Sequence, residues 1–168
     1  MGMRREARER AVQFLFQYDV NPTENLDVAL EQFWEAQRRA ALLETQKDSG
    51  KLWEDLSELP PPNTAEASVR LFADPLIRGV IQHRVEIDAL ISNHAKNWDL
   101  HRMAVVDRNV LRLGAFEMLH RDDIPPVVSI NEAVDVAKRF STEDSGRFVN
   151  GILDKIRLGL MRPSRIID

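Results

Sequence analysis

Apolar side chains recur every three or four residues along most of this chain, which is the pattern of an amphipathic α-helix. Strand-type alternation is nowhere sustained, so we predict an all-α fold of about seven helices. The first helix is predicted over about residues 4–18, and the second from about residue 25 or 26 to residue 43. Their predicted buried positions are Ala7, Ala11, Phe14, Leu15 and Tyr18 in the first, and Leu26, Ala29, Leu30, Phe33 and Trp34 in the second.

Prolines separate the second helix from the third. No helix can continue through the three prolines at 60–62. Before them, residues 51–59 are predicted to form a short amphipathic helix. Its inward-facing side chains would be Leu52, Trp53, Leu56 and Leu59. Asn63 or Thr64 is predicted to cap a third long helix that reaches Pro75 and continues toward Ile91, with a bend or a break at Pro75 left open.

The C-terminal part of the chain contains three further helix starts. Asp99 is predicted to cap a central helix over residues 100–119, which has the most regular apolar spacing. Ser129 and Glu132 match a capping box, so a helix is predicted to begin there and to end at Phe140. Ser141 or Thr142 is predicted to begin the last helix.

The composition limits the class of protein. With 168 residues, a single domain can bury about 70% of the surface of its unfolded chain. The chain has no cysteine, which excludes disulfides and cysteine-ligated zinc. No apolar run is long enough to cross a membrane, and the arginine-rich start does not match a signal peptide. We therefore expect a cytoplasmic protein without a membrane partner.

The net charge of −4 is unevenly distributed along the chain. Between Glu24 and Glu66, ten acidic residues stand against four basic ones, a local charge of −6, which leaves the rest at +2. Any surface for nucleic acid is therefore expected outside this acidic stretch, at the N-terminal end or on the C-terminal half.

The usual signatures of catalysis are missing from the sequence. The seven glycines stand far apart and form no phosphate-binding loop, and no serine lies in a nucleophile-elbow motif. The four histidines are never three or four residues apart, so their spacing does not support a metal site on one helix face. We expect no enzyme, no cofactor and no metal, and a function that depends on surfaces.

Four arginines are concentrated at the start of the first helix: Arg4, Arg5, Arg8 and Arg10. Positive charge at that end opposes the helix dipole. Arg4 and Arg8 fall on the same stripe as the apolar residues, so the helix start is expected to project beyond the core. One hypothesis is a patch that contacts phosphates, and the alternative is a solvated helix end interleaved with Glu6 and Glu9.

Three C-terminal blocks carry a family resemblance: residues 106–113 (VDRNVLRL), 129–140 (SINEAVDVAKRF) and 148–155 (FVNGILDK). In this order and at this spacing they resemble the C-terminal half of the NusB family, bacterial transcription antitermination factors that bind RNA. Residues 4–17 (RREARERAVQFLFQ) are similar to the arginine-rich first helix of that family. The resemblance covers about residues 4–36 and 70–157, whereas residues 38–64 look like an insertion.

The resemblance implies two small helical bundles packed across each other within one domain, without a cofactor. Residues 1–96 would form the N-terminal lobe, with the insertion near 38–64, and residues 97–168 the C-terminal lobe. Members of the family pair with the ribosomal protein NusE, and the pair binds the boxA element of nascent RNA. The complex helps RNA polymerase to read through terminators, notably in ribosomal RNA operons.

The resemblance also implies site residues. The RNA-contacting candidates are Arg4, Arg5, Arg8, Arg10, Phe16, Asp122, Asp123, Ile124 and Pro125. Phe16 stands where relatives often have Tyr. Pro126 departs from a Tyr common in the family, so a stacking contact is expected to be missing at that position. Asp107 and Arg108 match a position that faces the protein partner, and an ion pair within the chain is the alternative.

Two further pairs of residues carry weaker signals. Lys138 and Arg139 could reach phosphate or form a solvated helix end. Asn150 and Gly151 match the family's Val-Asn-Gly block, for which a structural role in close helix packing is expected.

Two other functions stay open at this point. Some rRNA cytosine methyltransferases carry a similar helical module, so the chain could be an RNA-targeting module that requires a further catalytic domain. Alternatively, it could be a protein-only adaptor that has lost RNA binding. Some relatives self-associate over the RNA surface, so a homodimer that competes with RNA is a further expectation.

Overall fold

A computed structural model of the chain describes residues 2–49 and 61–161, with the side chains at 46–49 left out. Within these ranges there are seven α-helices, one 3-10 helix and no strand, which confirms the all-α prediction. The helices are α1 (Met3–Val20), α2 (Leu26–Ser49), α3 (Thr64–Gln82), α4 (Arg84–His94), the 3-10 helix (Leu100–Arg102), α5 (Val105–His120), α6 (Pro126–Phe140) and α7 (Glu143–Met161). The helix predicted over 51–59 lies outside the described residues. None of the described helices combines the length and apolarity needed to cross a membrane.

The predicted third helix is two helices in the structure. The Asn63 side chain accepts a hydrogen bond from the backbone N–H of Glu66 at 2.9 Å, as the capping prediction requires. α3 then continues through Pro75 but ends at Gln82, because His83 leaves the helical conformation with φ −103° and ψ 19°. A new helix, α4, begins at Arg84. Local periodicity does not reveal this break, since the apolar spacing continues across it.

Two predicted helix starts are wrong by several residues. The Asp99 side chain does form a cap, but it closes only the 3-10 helix, and the extended residues Met103 and Ala104 separate that turn from α5. α6 begins at Pro126, three residues before the predicted capping box, because proline needs no N–H partner in the first helical turn. Ser129 therefore lies inside α6, buried, and its hydroxyl donates to Glu117 at 3.2 Å.

The start of α7 and the packing of its glycine were also predicted. The Thr142 hydroxyl accepts a hydrogen bond from the backbone N–H of Ser145 at 3.1 Å, which confirms the predicted start. The expectation of close packing at Gly151 is wrong, because a Cβ added there would meet no atom of the described residues within 4 Å.

α5 lies at the centre of the fold and packs against α1, α3, α4, α6 and α7. One contiguous hydrophobic core includes residues from all seven α-helices. α1 and α5 run antiparallel: Arg8 near the start of α1 bonds Glu117 near the end of α5, and Asp19 near the end of α1 bonds Arg112.

α2, which belongs to the acidic stretch, packs against α1 and α3. The ring of Phe33 packs edge-on against Phe14, with centroids 5.4 Å apart. The indole N–H of Trp34 donates to Asp74 on α3 at 2.8 Å. Ion pairs from Asp27 to Arg78 and from Glu31 to Arg70 also join these two helices. Part of the acidic stretch is thus neutralised by α3.

Candidate nucleic-acid interface

The first turns of α1 present arginines that already have partners within the chain. Arg5 donates through Nε to Glu132 at 2.9 Å and through Nη2 to Asp135 at 2.7 Å, both on α6. The hydrogen bond with Glu132 raises the pKa of Arg5 and lowers that of the carboxyl. Arg10 donates to Gln13 at 3.1 Å and remains about one third exposed. Arg5 and Arg10 therefore lie in defined positions on the surface.

One aromatic ring connects α1 with the turn between α5 and α6. The guanidinium carbons of three arginines lie over the ring of Phe72 on α3, at 5.0 Å for Arg4, 5.4 Å for Arg8 and 5.2 Å for Arg121. We call these four residues the Phe72 cluster. It brings together the two segments that the sequence analysis proposed separately for RNA: the start of α1 and the turn at residues 122–125.

The turn after α5 is held by its own side chains. Arg121 makes two hydrogen bonds to the carboxylate of Asp123, each 2.9 Å long. This contact, together with the positive charge of Arg4, lowers the pKa of Asp123 to about 2. Ile124 is buried, with 3% of its surface exposed, whereas Asp122 and Pro125 face solvent. Ile124 therefore anchors the turn and leaves its polar residues outside.

The expected projection of the helix start beyond the core is wrong for Arg8. Its side chain is 3% exposed and makes hydrogen bonds of 3.0 and 2.7 Å with the two carboxylate oxygens of Glu117, which is 1% exposed. A buried arginine needs such a paired acceptor, because an isolated buried charge is costly. Arg8 and Ile124 were both candidates for direct RNA contact, and neither has a side chain on the surface.

The other predicted site residues lie farther away. Phe16 is 39% exposed and lies twelve residues after Arg4, about 18 Å along α1. Asp107 and Arg108 are in the first turn of α5, at the opposite end of that helix from Arg121. The structure therefore brings Arg4 and Arg8 close to the turn, whereas Phe16 and the candidate partner surface lie farther along α1 and α5.

At that opposite end, Asp19 is the centre of a charged network. Its carboxylate accepts hydrogen bonds from Arg108 at 2.6 Å, Asn109 at 3.0 Å and Arg112 at 2.9 Å. Burial raises the pKa of Asp19, but these bonds and the charge of Arg112 outweigh it and lower that pKa to about 2. Arg112 is itself buried and also bonds Asp88 on α4 at 2.8 Å.

Asp107 and Arg108, the predicted interface residues, do not form an ion pair with each other. Arg108 bonds Asp19 instead of its neighbour. Among the described residues, Oδ1 of Asp107 is buried and has no hydrogen-bond partner. Burial raises the pKa of Asp107, and a hydrogen bond with Ser145 opposes that shift. The ion pair that the sequence analysis left as an alternative does exist within the chain, but it involves Asp19.

The two basic residues at the end of α6 both have acidic neighbours. Nε of Arg139 lies 3.3 Å from Glu9 on α1, and Nζ of Lys138 lies 3.6 Å from Glu143. Arg139 keeps about half of its side chain exposed.

Sequence reasoning missed two members of the Phe72 cluster. Arg121 directly precedes the predicted turn, so its position could have indicated it. Phe72 gave no signal, because an aromatic residue on an amphipathic helix is usually assigned to the core. Its role appears only once α3 is placed beside α1.

Comparison with known proteins connects this chain to a family. The model of the NusB family matches residues 5–157. A transcription antitermination protein NusB from Myxococcus xanthus (strain DK1622) is 42% identical over 163 residues, which are 97% of this chain and 100% of that protein.

Two solved structures extend the comparison to the fold. NusB of T. maritima superposes with a TM-score of 0.64 at 36% identity, covering 93% of this chain and 90% of that one. A crystal structure of the antitermination factors NusB and NusE in complex with dsRNA matches with a TM-score of 0.65 at 25% identity, covering 95% of this chain and 98% of that one.

Proposed function

This chain belongs to the NusB family, and from that premise we propose that it binds boxA-type RNA of nascent ribosomal RNA transcripts together with the ribosomal protein NusE. The observation that carries the proposal is the Phe72 cluster, which joins the basic start of α1 to the turn after α5. The similar structure of NusB and NusE with dsRNA supports both partners. We further propose a cytoplasmic protein without catalytic activity that joins the antitermination complex of RNA polymerase.

The RNA surface in this proposal consists of the candidates whose side chains reach solvent: Arg4, Arg5, Arg10, Phe16, Asp122, Asp123 and Pro125. The arginines would contact phosphates, and the carboxylates could accept hydrogen bonds from base amino groups. Phe16 offers a ring on which a base can stack. Arg8 and Ile124 would act indirectly, Arg8 by fixing α1 against α5 and Ile124 by holding the turn.

NusE would bind at the other end of α5, where Asp107 and Arg108 lie. This arrangement leaves the start of α1 accessible to RNA in the complex. A homodimer that covered α1 would compete with RNA, so the protein concentration should be varied when binding is measured.

The test is binding of a boxA-like RNA and a permuted control RNA, with and without NusE. Arg4→Ala, Arg5→Ala and Arg10→Ala should each weaken binding of the boxA-like RNA, whereas Arg147→Ala on α7 is the matched control. Arg147 is an exposed arginine outside the proposed surface. A double-stranded version of the same RNA distinguishes single-strand recognition from recognition of helix shape.

The salt dependence of binding gives an independent readout. Contacts from Arg4, Arg5 and Arg10 to single-stranded RNA predict a slope of log K against log salt no steeper than about −2, and each Ala variant should reduce it by about 0.7. Equal, weak binding to both RNAs with a flat salt response would instead make the protein an adaptor that acts through protein contacts alone.

A further inference from the structure

Two histidines and a glutamate lie close together near the junction of α3 and α4. His83 lies at the break between these helices, Glu86 is in the first turn of α4, and His120 is the last residue of α5. Their ligand atoms all lie within 4.8 Å of one another. Spacing along the sequence tests only one helix face, so it could not show a cluster that joins two helices.

The two imidazoles lie near different oxygens of the Glu86 carboxylate. Nδ1 of His83 lies 3.5 Å from Oε2 of Glu86, and Nε2 of His120 lies 3.5 Å from Oε1. Around a tetrahedral zinc ion with bonds of about 2.0–2.1 Å, ligand atoms stand about 3.3 Å apart. The two observed His–Glu separations of 3.5 Å are close to this spacing. Because the two imidazole rings are stacked, both must rotate so that their nitrogens point to one ion.

The two imidazole rings pack against one buried aromatic side chain, Phe116. His83 and His120 stack with centroids 4.2 Å apart, and Phe116 packs against His120 at 5.2 Å and against His83 at 6.1 Å. Phe116 is itself buried and fills the space left by Gly79, where an added Cβ would collide with its ring. This packing keeps the two imidazole rings next to each other.

We propose that His83, Glu86 and His120 bind a divalent transition metal ion of the zinc type. Two imidazoles and one carboxylate form a donor set that zinc, cobalt and nickel accept, whereas magnesium and calcium prefer oxygen alone. Both histidine side chains are about one third exposed, so an ion can enter and water can complete its coordination.

A bound ion would connect the first turn of α4 to the last residue of α5. Arg121, which follows His120 directly, holds the turn through Asp123 and lies over Phe72. The metal would therefore restrain the segment next to the Phe72 cluster, although the proposed site does not depend on RNA binding.

The test uses the full chain without a histidine tag. Titration with Zn²⁺ in a calorimeter should give one ion per chain, and Co²⁺ should give visible absorption bands of low-symmetry coordination. His83→Asn, Glu86→Gln and His120→Asn should each weaken binding at least about tenfold. His101→Asn is the matched control, since His101 is an exposed histidine outside the cluster. At a free Zn²⁺ concentration a hundred times Kd, Tm should rise by about 5–10 °C.

The imidazole NMR signals of the wild-type protein test the proposal even if a variant folds poorly. The chain has four histidines, and in the wild-type protein Zn²⁺ should shift the signals of His83 and His120 but not those of the other two. Circular dichroism of each variant shows whether it is folded. The proposal is overturned by an absence of saturable binding, by binding that survives in the folded His83→Asn/His120→Asn double variant, or by Zn²⁺-induced shifts at His94 and His101.

Discussion

The buried ion pair between Arg8 and Glu117 allows a strong prediction about stability. Arg8→Ala would leave the Glu117 carboxylate in the core with the hydroxyl of Ser129 as its only hydrogen-bond donor in the part of the chain that the structure describes. Removing one partner of a buried ion pair typically costs about 3–5 kcal/mol, because the remaining charge is neither solvated nor paired. For a domain of this size, that loss corresponds to a drop in Tm of about 6–20 °C.

The assay is urea denaturation followed by far-UV circular dichroism, with thermal unfolding as a second measurement. Arg10→Ala is the matched control on the same helix. Arg10 is about one third exposed and lies 3.8 Å from Glu6, so its removal should change the free energy of unfolding by less than about 1 kcal/mol. Both variants remove an arginine from α1, and only their burial differs.

A double variant separates the ion pair from the loss of side-chain volume. Arg8→Met with Glu117→Leu replaces both charges by apolar groups of similar size, and it should recover most of the stability that Arg8→Ala loses. The reasoning is refuted if Arg8→Ala costs less than about 1 kcal/mol, or if the double variant is no more stable than the single one. RNA binding by the double variant would also show the effect of removing the Arg8 charge in a protein that remains folded.

The remaining predictions concern acid stability and two glycines. Asp19 has a pKa of about 2 in the folded protein against an ordinary 3.8, so its ionised form contributes about 2 kcal/mol above pH 4, which is lost as the pH falls through 2. Asp19→Asn should remove this part of the pH dependence in urea denaturation at a series of pH values. Gly79→Ala should destabilise the protein by about 1–3 kcal/mol, because its Cβ collides with Phe116. The Cβ added by Gly151→Ala meets no atom of the described residues within 4 Å, so this variant should raise stability by about 0.5–1 kcal/mol. Equal Tm values for the two glycine variants would contradict this contrast.

The features of the fold that depend on neighbours in sequence could be predicted from the sequence. The all-α class follows from apolar spacing, and the cap at Asn63 follows from a side chain that reaches only three residues ahead. The failures involve distant partners. Ser129 and Glu132 match a capping box, but their side chains bond Glu117 and Arg5 instead, on other helices.

The candidate site shows the same limit. The arginines of α1 and the turn at 122–125 were both identified from the sequence, but not their meeting at Phe72. The burial of Arg8 depends on Glu117, which is 109 residues away in the chain. Whether a charge lies in solvent or in the core is decided by such partners, and one sequence alone does not indicate them.

The ion pairs at the two ends of α1 and α5 also determine how these helices are aligned along their axes. Small apolar residues such as Ala7 and Ala11 would accept a slip of one helical turn, about 5.4 Å, with little loss of contact. The same slip would separate Arg8 from Glu117 and Arg112 from Asp19 at once and leave buried charges without partners. We therefore expect these ion pairs to disfavour a shifted alignment during folding and to select one register of the central helix pair.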